Sequence, residues 1–218
     1  MGFSGSLALL RTELPLAQFD DLVHAMWRPL FRPESWRCAD GWLLAFASYG
    51  PDLAPESGVL KDLVVRTGAP ALLARVFDSD VMQLAGYDGR EYWEVWLDIE
   101  AGLEPWLITR LRRAARAAGD RSRRFDFGWS EPYPEDWAQQ LERGDEQRCR
   151  DRPGQAGAAA RWARSAGYDV PAAPIEELFG RERDPCVEDM FTDLVGLLGI
   201  DGAVSVSERH LREYWSGA

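Results

Sequence analysis

This chain is short of the residues that most enzymes use to move protons or hold metals. Of 218 residues only two are histidine, His24 and His210, and three are cysteine, Cys38, Cys149 and Cys186. The cysteines are far apart and form no C-x-x-C pair, so neither a zinc site nor a disulfide framework is expected; the pattern fits reduced thiols in a cytoplasmic protein. His24 follows Asp20 and Asp21 on the polar side of an expected helix, where an ion pair accounts for it. His210 lies in "SERHLREYW". Neither histidine is an evident base for a catalytic serine. "GFSGS" misses the spacing of a nucleophile elbow, because Ser6 stands where the last glycine belongs. No Gly-rich phosphate loop is present. No segment reaches the roughly 18 apolar residues of a membrane helix, and "MGFSGSLALLRTELP" lacks the basic start and long apolar run of a signal peptide. No cofactor, metal or membrane partner is therefore expected, and an enzyme is disfavoured.

Lysine is also nearly missing. Lys61 is the only one, and every other basic residue is arginine, which with the abundant Ala and Gly fits a high-GC genome. Positive charge as a whole is outweighed: the formal net charge is -11. That balance argues against general affinity for nucleic acid and favours fast encounter with a basic partner, although it also serves solubility alone. The basic residues cluster. Seven arginines stand between Arg110 and Arg124, with Asp120 the only acid among them. Arg112, Arg113, Arg116 and Arg123 form a candidate basic patch for phosphate or nucleic acid, or a solvated helix face paired with acids.

Against these shortages, 46% of residues are hydrophobic and 28% charged, enough apolar material to offset the entropy of ordering a backbone of this length. A single domain over 1–218 is expected, sheet-rich in 1–99 and helix-rich in 102–218. The fold class is α+β: a mostly antiparallel N-terminal sheet with two hairpins and one or two helices, covered by a helical C-terminal half.

"GSLALLRT" and "APALLARVF" read as strands, "PLAQFDDLVHAM" and "ESGVLKDLVVRTG" as helices, the second stopped by Gly68. "SWRCADGWLLAFASY" reads as a hairpin about Asp40-Gly41. In "VFDSDVMQLAGYDGREYWEVWLDI" a two-residue turn at Asp88-Gly89 predicts that Leu84 faces Trp93 and Val81 faces Trp96. Met82, Leu84, Trp93 and Val95 then share a core face, and Val81, Ala85, Tyr92 and Trp96 share the other.

In the C-terminal half, "EPWLITRLRRAARAAG" reads as a helix. A second helix begins near Pro134, weakens at Gly144 and is broken by "DRPGQAG"; a third ends at Gly167. "DPCVEDMFTDLVGLLG" is the clearest, with Asp184 as cap, Pro185 first, and Val187, Met190, Phe191, Leu194, Val195 and Leu198 buried.

Asp78, Asp80, Asp98 and Glu100 gather at one end of the second hairpin. The alternation puts Asp98 opposite in sense to Asp78 and Asp80, and "DSD" lacks the downstream Gly and Glu of a calcium loop, so a turn or a charged strand edge is the plainer account. Ten tryptophans are present. "FDFGWSEPYPEDW" sets Trp129, Tyr133 and Trp137 among acids and prolines, a composition suited to anchoring a protein partner or to pinning a long connection onto the sheet. Asp78, Asp80, Trp96, Trp129, Tyr133 and Trp137 are the candidate partner-binding residues.

"MGFSGSLALLRTELPL", "TGAPALLARVFDSDVMQLAG" and "CVEDMFTDLVGLLGI" together resemble a group of uncharacterised proteins of high-GC Gram-positive bacteria. That resemblance implies a bacterial cytoplasmic protein and carries no activity. An acidic, Trp-rich chain of this kind has the profile of a non-enzymatic binding protein, such as an immunity protein that neutralises a toxin. A small-molecule enzyme working with carboxylates and arginines is the alternative, and nucleic-acid binding through Arg110–Arg124 a second one.

Overall fold

The computed structural model describes residues 4–19, 34–48, 58–77, 79–97, 137–181 and 186–203. Six strands precede the long helices: β1 (Gly5–Arg11), β2 (Glu34–Arg37), β3 (Trp42–Ser48), β4 (Ala71–Phe77), β5 (Val81–Tyr87) and β6 (Tyr92–Leu97). They form one antiparallel sheet in the order β2-β3-β1-β4-β5-β6. Helix α1 (Gly58–Thr67) links β3 to β4, and α2 (Trp137–Ser165), α3 (Ala172–Phe179) and α4 (Val187–Leu197) follow the sheet. The expected α+β class is the one observed.

Strand alternation sorts the apolar residues onto two faces. Leu7, Leu9, Leu44, Leu72, Leu84 and Val95 point to one face, where α2, α3 and α4 cover them. Ala8, Leu10, Leu43, Leu73 and Ala85 point to the other, beneath Leu60, Leu63 and Val64 of α1 and beneath Leu16 and Phe19. Because both faces are buried, the central strands read as nearly unbroken apolar runs rather than as apolar-polar alternation.

Trp162 is the centre of the larger layer. It is 1% exposed and lies 5.8 Å, ring to ring, from Trp42. Its Nε1 donates to the carbonyls of Ala71 (3.2 Å) and Tyr87 (3.3 Å), which face each other at one end of the β4–β5 ladder. A second aromatic contact ties the first hairpin to the connection after α2: Trp42 Nε1 donates to the Tyr168 hydroxyl at 3.0 Å, which donates to Asp40 Oδ2 at 2.8 Å. Burial is the main reason the Tyr168 hydroxyl is raised above its ordinary pKa. Arginines fasten the segment after β1. Arg37 donates to the carbonyls of Thr12, Glu13 and Leu14, and Arg66 donates to Gln18 while lying over the Phe19 ring.

Three local expectations need correction. The second hairpin turns on Gly89-Arg90, not Asp88-Gly89, so Tyr87 faces Tyr92, Leu84 faces Val95 and Gln83 faces Trp96. The reason is the Asp88 carboxylate, whose Oδ1 accepts from the amides of Arg90 (2.8 Å) and Glu91 (2.7 Å) and so makes Asp88 the first residue of the turn. Gly89, at φ +93°, takes the position that a mirror-image hairpin turn reserves for glycine. The shift is two residues, so the faces stay as expected: Met82, Leu84, Trp93 and Val95 all lie in the larger core. Gly86 faces Trp93, and a Cβ at Gly86 would run into that indole.

Second, α2 is continuous from Trp137 to Ser165 and contains Gly144 and Pro153. The run Ala156, Ala159, Ala163 and Ala166 is buried with Trp162 against the sheet; that packing outweighs the local break at "DRPGQAG". Third, Cys186 rather than Asp184 is the residue before α4, without a side-chain cap; the anticipated buried face and the stop at Gly199 (φ +83°) are both present. Of "PLAQFDDLVHAM", Leu16–Gln18 form a 3-10 turn, and the remainder of the expected helix from residue 20 on lies outside the described residues.

Candidate functional site

The corner where β4 turns into β5 carries the densest described chemistry. Phe77, Ser79 and Asp80 form a tight turn in which the Asp80 amide donates to the Phe77 carbonyl at 3.0 Å. Ser79 sits at φ +58°, a left-handed conformation that a side chain makes costly. It is held there by α4. The Val187 amide donates to the Ser79 carbonyl at 3.0 Å, and Ser79 Oγ donates to Glu188 Oε1 at 2.9 Å. The turn thus satisfies one of the amides that open every helix without a partner of their own.

Glu188 is 2% exposed, and its Oε2 is buried without a hydrogen bond. Burial pushes its carboxyl above the ordinary range; its own amide, Ser79 and Cys186 pull it back, and the charge of Asp189 adds to the rise. The alternation of α4 explains why an acid is inside. Glu188 precedes Phe191 by three residues and Val195 by seven, so it shares their buried face. Ser79 is 9% exposed. A hydroxyl and a carboxyl in contact could act as nucleophile and base, but a substrate cannot reach a pair this deeply covered, so here they anchor one element to another.

On the opposite face of the sheet, the same corner is aromatic. Trp96 is 5% exposed and stacks on Phe77, with centroids 6.1 Å apart and planes 11° apart; the Arg75 guanidinium lies 4.3 Å from the Phe77 centroid. Glu94 stands between two aromatic residues of β6: Trp96 Nε1 donates to its Oε1 at 3.0 Å and the Tyr92 hydroxyl to its Oε2 at 2.8 Å. The register sets Ser6, Arg75, Gln83 and Trp96 side by side across four strands. Ser6 and Gln83 are buried, so a polar row crosses an otherwise apolar layer. Tyr92, at 40% exposed, is where this system meets solvent.

Of the expected partner-binding residues, the structure brings Asp80 and Trp96 to this corner. Asp80 is half-buried and Trp96 is covered, supporting Phe77 rather than facing solvent. Trp137 opens α2, its side chain lying outside the described residues. Asp78, Trp129, Tyr133, Asp98, Glu100, His24 and His210 also lie outside them, as do Arg112, Arg113, Arg116 and Arg123. Sequence reasoning missed Glu188 and Glu94. The signal for the first was its spacing to Phe191 and Val195; for the second it was its place between Tyr92 and Trp96 on one strand face.

Elsewhere, a surface hollow of about 430 Å³ between α2 and α3 is lined by Arg152, Ala173, Glu176, Glu177 and Gly180. Among the described residues no group of three or more His, Cys, Asp or Glu could hold a metal ion, and no described helix is long and apolar enough to cross a membrane. Cys38 and Cys186 are not disulfide-bonded, and burial raises the Cys38 thiol, which makes it a poor nucleophile. Comparison of the chain with protein-family models, with curated proteins and with solved structures finds no match in any of the three.

Proposed function

We propose that this chain is a non-enzymatic protein-binding domain, an immunity protein that neutralises a bacterial toxin by covering a basic surface on it. The observation that carries this reading is the distribution of charge. The formal net charge is -11, and many described arginines are engaged within the fold. Arg37 and Arg66 hold backbone carbonyls, Arg161 pairs with Glu91 at 2.6 Å and Arg181 pairs with Asp193 at 2.8 Å. Acids such as Glu13, Asp62, Glu177 and Asp201 are exposed. An acidic exterior of this kind raises the rate of encounter with a basic protein and disfavours nucleic acid.

Aromatic residues would supply the anchors, since Tyr and Trp combine large contact area with a polar tip. The exposure of Tyr92 on β6 supports such a role, and Trp129, Tyr133 and Trp137 of "FDFGWSEPYPEDW" would be further anchors. The test is binding of the full chain to the purified product of a toxin-like reading frame next to its own gene, by calorimetry at two salt concentrations. Micromolar or tighter binding that weakens with salt supports the proposal. No heat of binding at low salt, with no protection against that toxin's activity, overturns it.

A further inference from the structure

The buried acid at the β4–β5 corner lies on the helix and not in the turn, and among the described residues no basic side chain pairs with it. Glu188 meets the Ser79 hydroxyl, the Cys186 thiol, its own amide and the nearby carboxylate of Asp189. Among the described residues, the titratable groups of the turn and the helix start are Asp80, Cys186 and Asp189. Of these, the charge of Asp189 disfavours a negative Glu188, while the Cys186 thiol donates to the carboxyl. Its Oε2 is closed off from water and from hydrogen-bond donors. The Ser79, Cys186 and amide donors offset only part of the cost of desolvating a carboxylate there, so burial leaves the neutral acid favoured.

The same residues form the mechanical link. Through its carbonyl and its hydroxyl, Ser79 makes two polar contacts between the turn and the start of α4, and it does so from a strained backbone conformation. We propose that Ser79 and Glu188 form a proton-controlled latch: the first turn of α4 is docked more firmly on the β4–β5 turn while Glu188 keeps its proton, and opens locally more often once the proton is lost. The proposal does not depend on the binding function, and it can fail without affecting that reading.

The sign follows from linkage. Folded-state Glu188 titrates above the ordinary carboxyl range and the opened helix titrates within it. Docking is therefore complete at pH below the ordinary range. As pH rises from there to the folded titration point, the opening equilibrium of α4 grows by at most about tenfold per pH unit, and beyond that point it is flat.

Amide hydrogen exchange on the full chain, corrected for the intrinsic pH dependence of exchange, reads this directly for 187–197, with β1 as internal reference. The expected result is opening of α4 that increases with pH in the wild type and is flat in Glu188→Gln, which keeps the shape but has no proton to lose. Ser79→Ala should speed α4 exchange roughly two- to tenfold at every pH and leave β1 unchanged. A carbon-13 titration of the wild-type Glu188 carboxyl adds a reading that needs no variant. The latch is overturned by a Glu188 that titrates in the ordinary range, by α4 opening that is independent of pH, or by Glu188→Gln retaining the wild-type slope.

Discussion

The two faces of the sheet are made by the same alternating strands, yet they are finished differently. Beneath α2, α3 and α4 the side chains are almost wholly apolar, from Leu7 and Leu44 to Leu84 and Val95, and Trp162 closes the layer by donating to two strand carbonyls. The α1 face is more mixed: Ser6, Arg75 and Gln83 form a polar row that ends at Trp96, and Glu94 faces Ala85 on the outer strand. Continuous apolar packing stores stability, because each buried methylene contributes about 0.8 kcal/mol. A mixed row contributes less and specifies more, since every buried polar group must keep its partner.

This contrast can be broken most severely at Trp162. Trp162→Ala should lower unfolding free energy by about 3–5 kcal/mol in urea titration; a loss under about 1 kcal/mol would mean that α2 is not what holds the larger layer. Next comes Gly86→Ala, whose methyl group would meet the Trp93 indole. A cost of about 1–3 kcal/mol is expected from overpacking, and a neutral substitution would show that Trp93 can move aside.

Tyr92→Ala sharpens the comparison from the other side. Stability should change by less than about 1 kcal/mol, while affinity for the proposed partner should fall about tenfold or more if Tyr92 is an anchor. An unchanged Kd would remove Tyr92 from the contact surface. The smallest effect belongs to Glu91, which makes a two-point, solvent-exposed contact with Arg161. Glu91→Gln should cost about 0.2–1 kcal/mol, and added salt should erase the difference.

Two glutamates also separate by pH. The hydrogen bond from Arg161 is the main reason Glu91 is held below the ordinary carboxyl range. Its contribution is present above that range and disappears as pH falls through the folded value. The contribution of Glu188 runs the other way, lost as pH rises through the window between the ordinary and the folded value.

Much of the fold was legible in the residues because periodicity is written locally. β1, β4, β5 and the buried face of α4 could be read from spacing alone, as could the positive φ at Asp40, Gly41 and Gly68. The corrections fall where a distant or unusual partner decides the outcome. Pro153 and Gly144 argue for a break that the docking of Ala156 through Ala166 overrides. The hairpin register depended on one carboxylate, that of Asp88, accepting two amides instead of standing inside the turn. The site was less legible still: Asp80 attracts the eye, but the acid that is buried at that corner arrives from residue 188, and nothing in "VFDSDV" announces it.

The strand order has a consequence for how the protein is made. β1 lies in the middle of the sheet, paired to β3 on one side and to β4 on the other, with Leu7, Ala8, Leu9 and Leu10 fully buried. The earliest described strand leaving the ribosome must therefore wait for Val76 before its second edge is filled, and for Trp162 before its larger face is covered. Long-range pairing of this kind is slow and leaves an apolar ribbon open to capture in the meantime. Nascent-chain handling, rather than final stability, is thus the stage at which substitutions in β1 should be felt first.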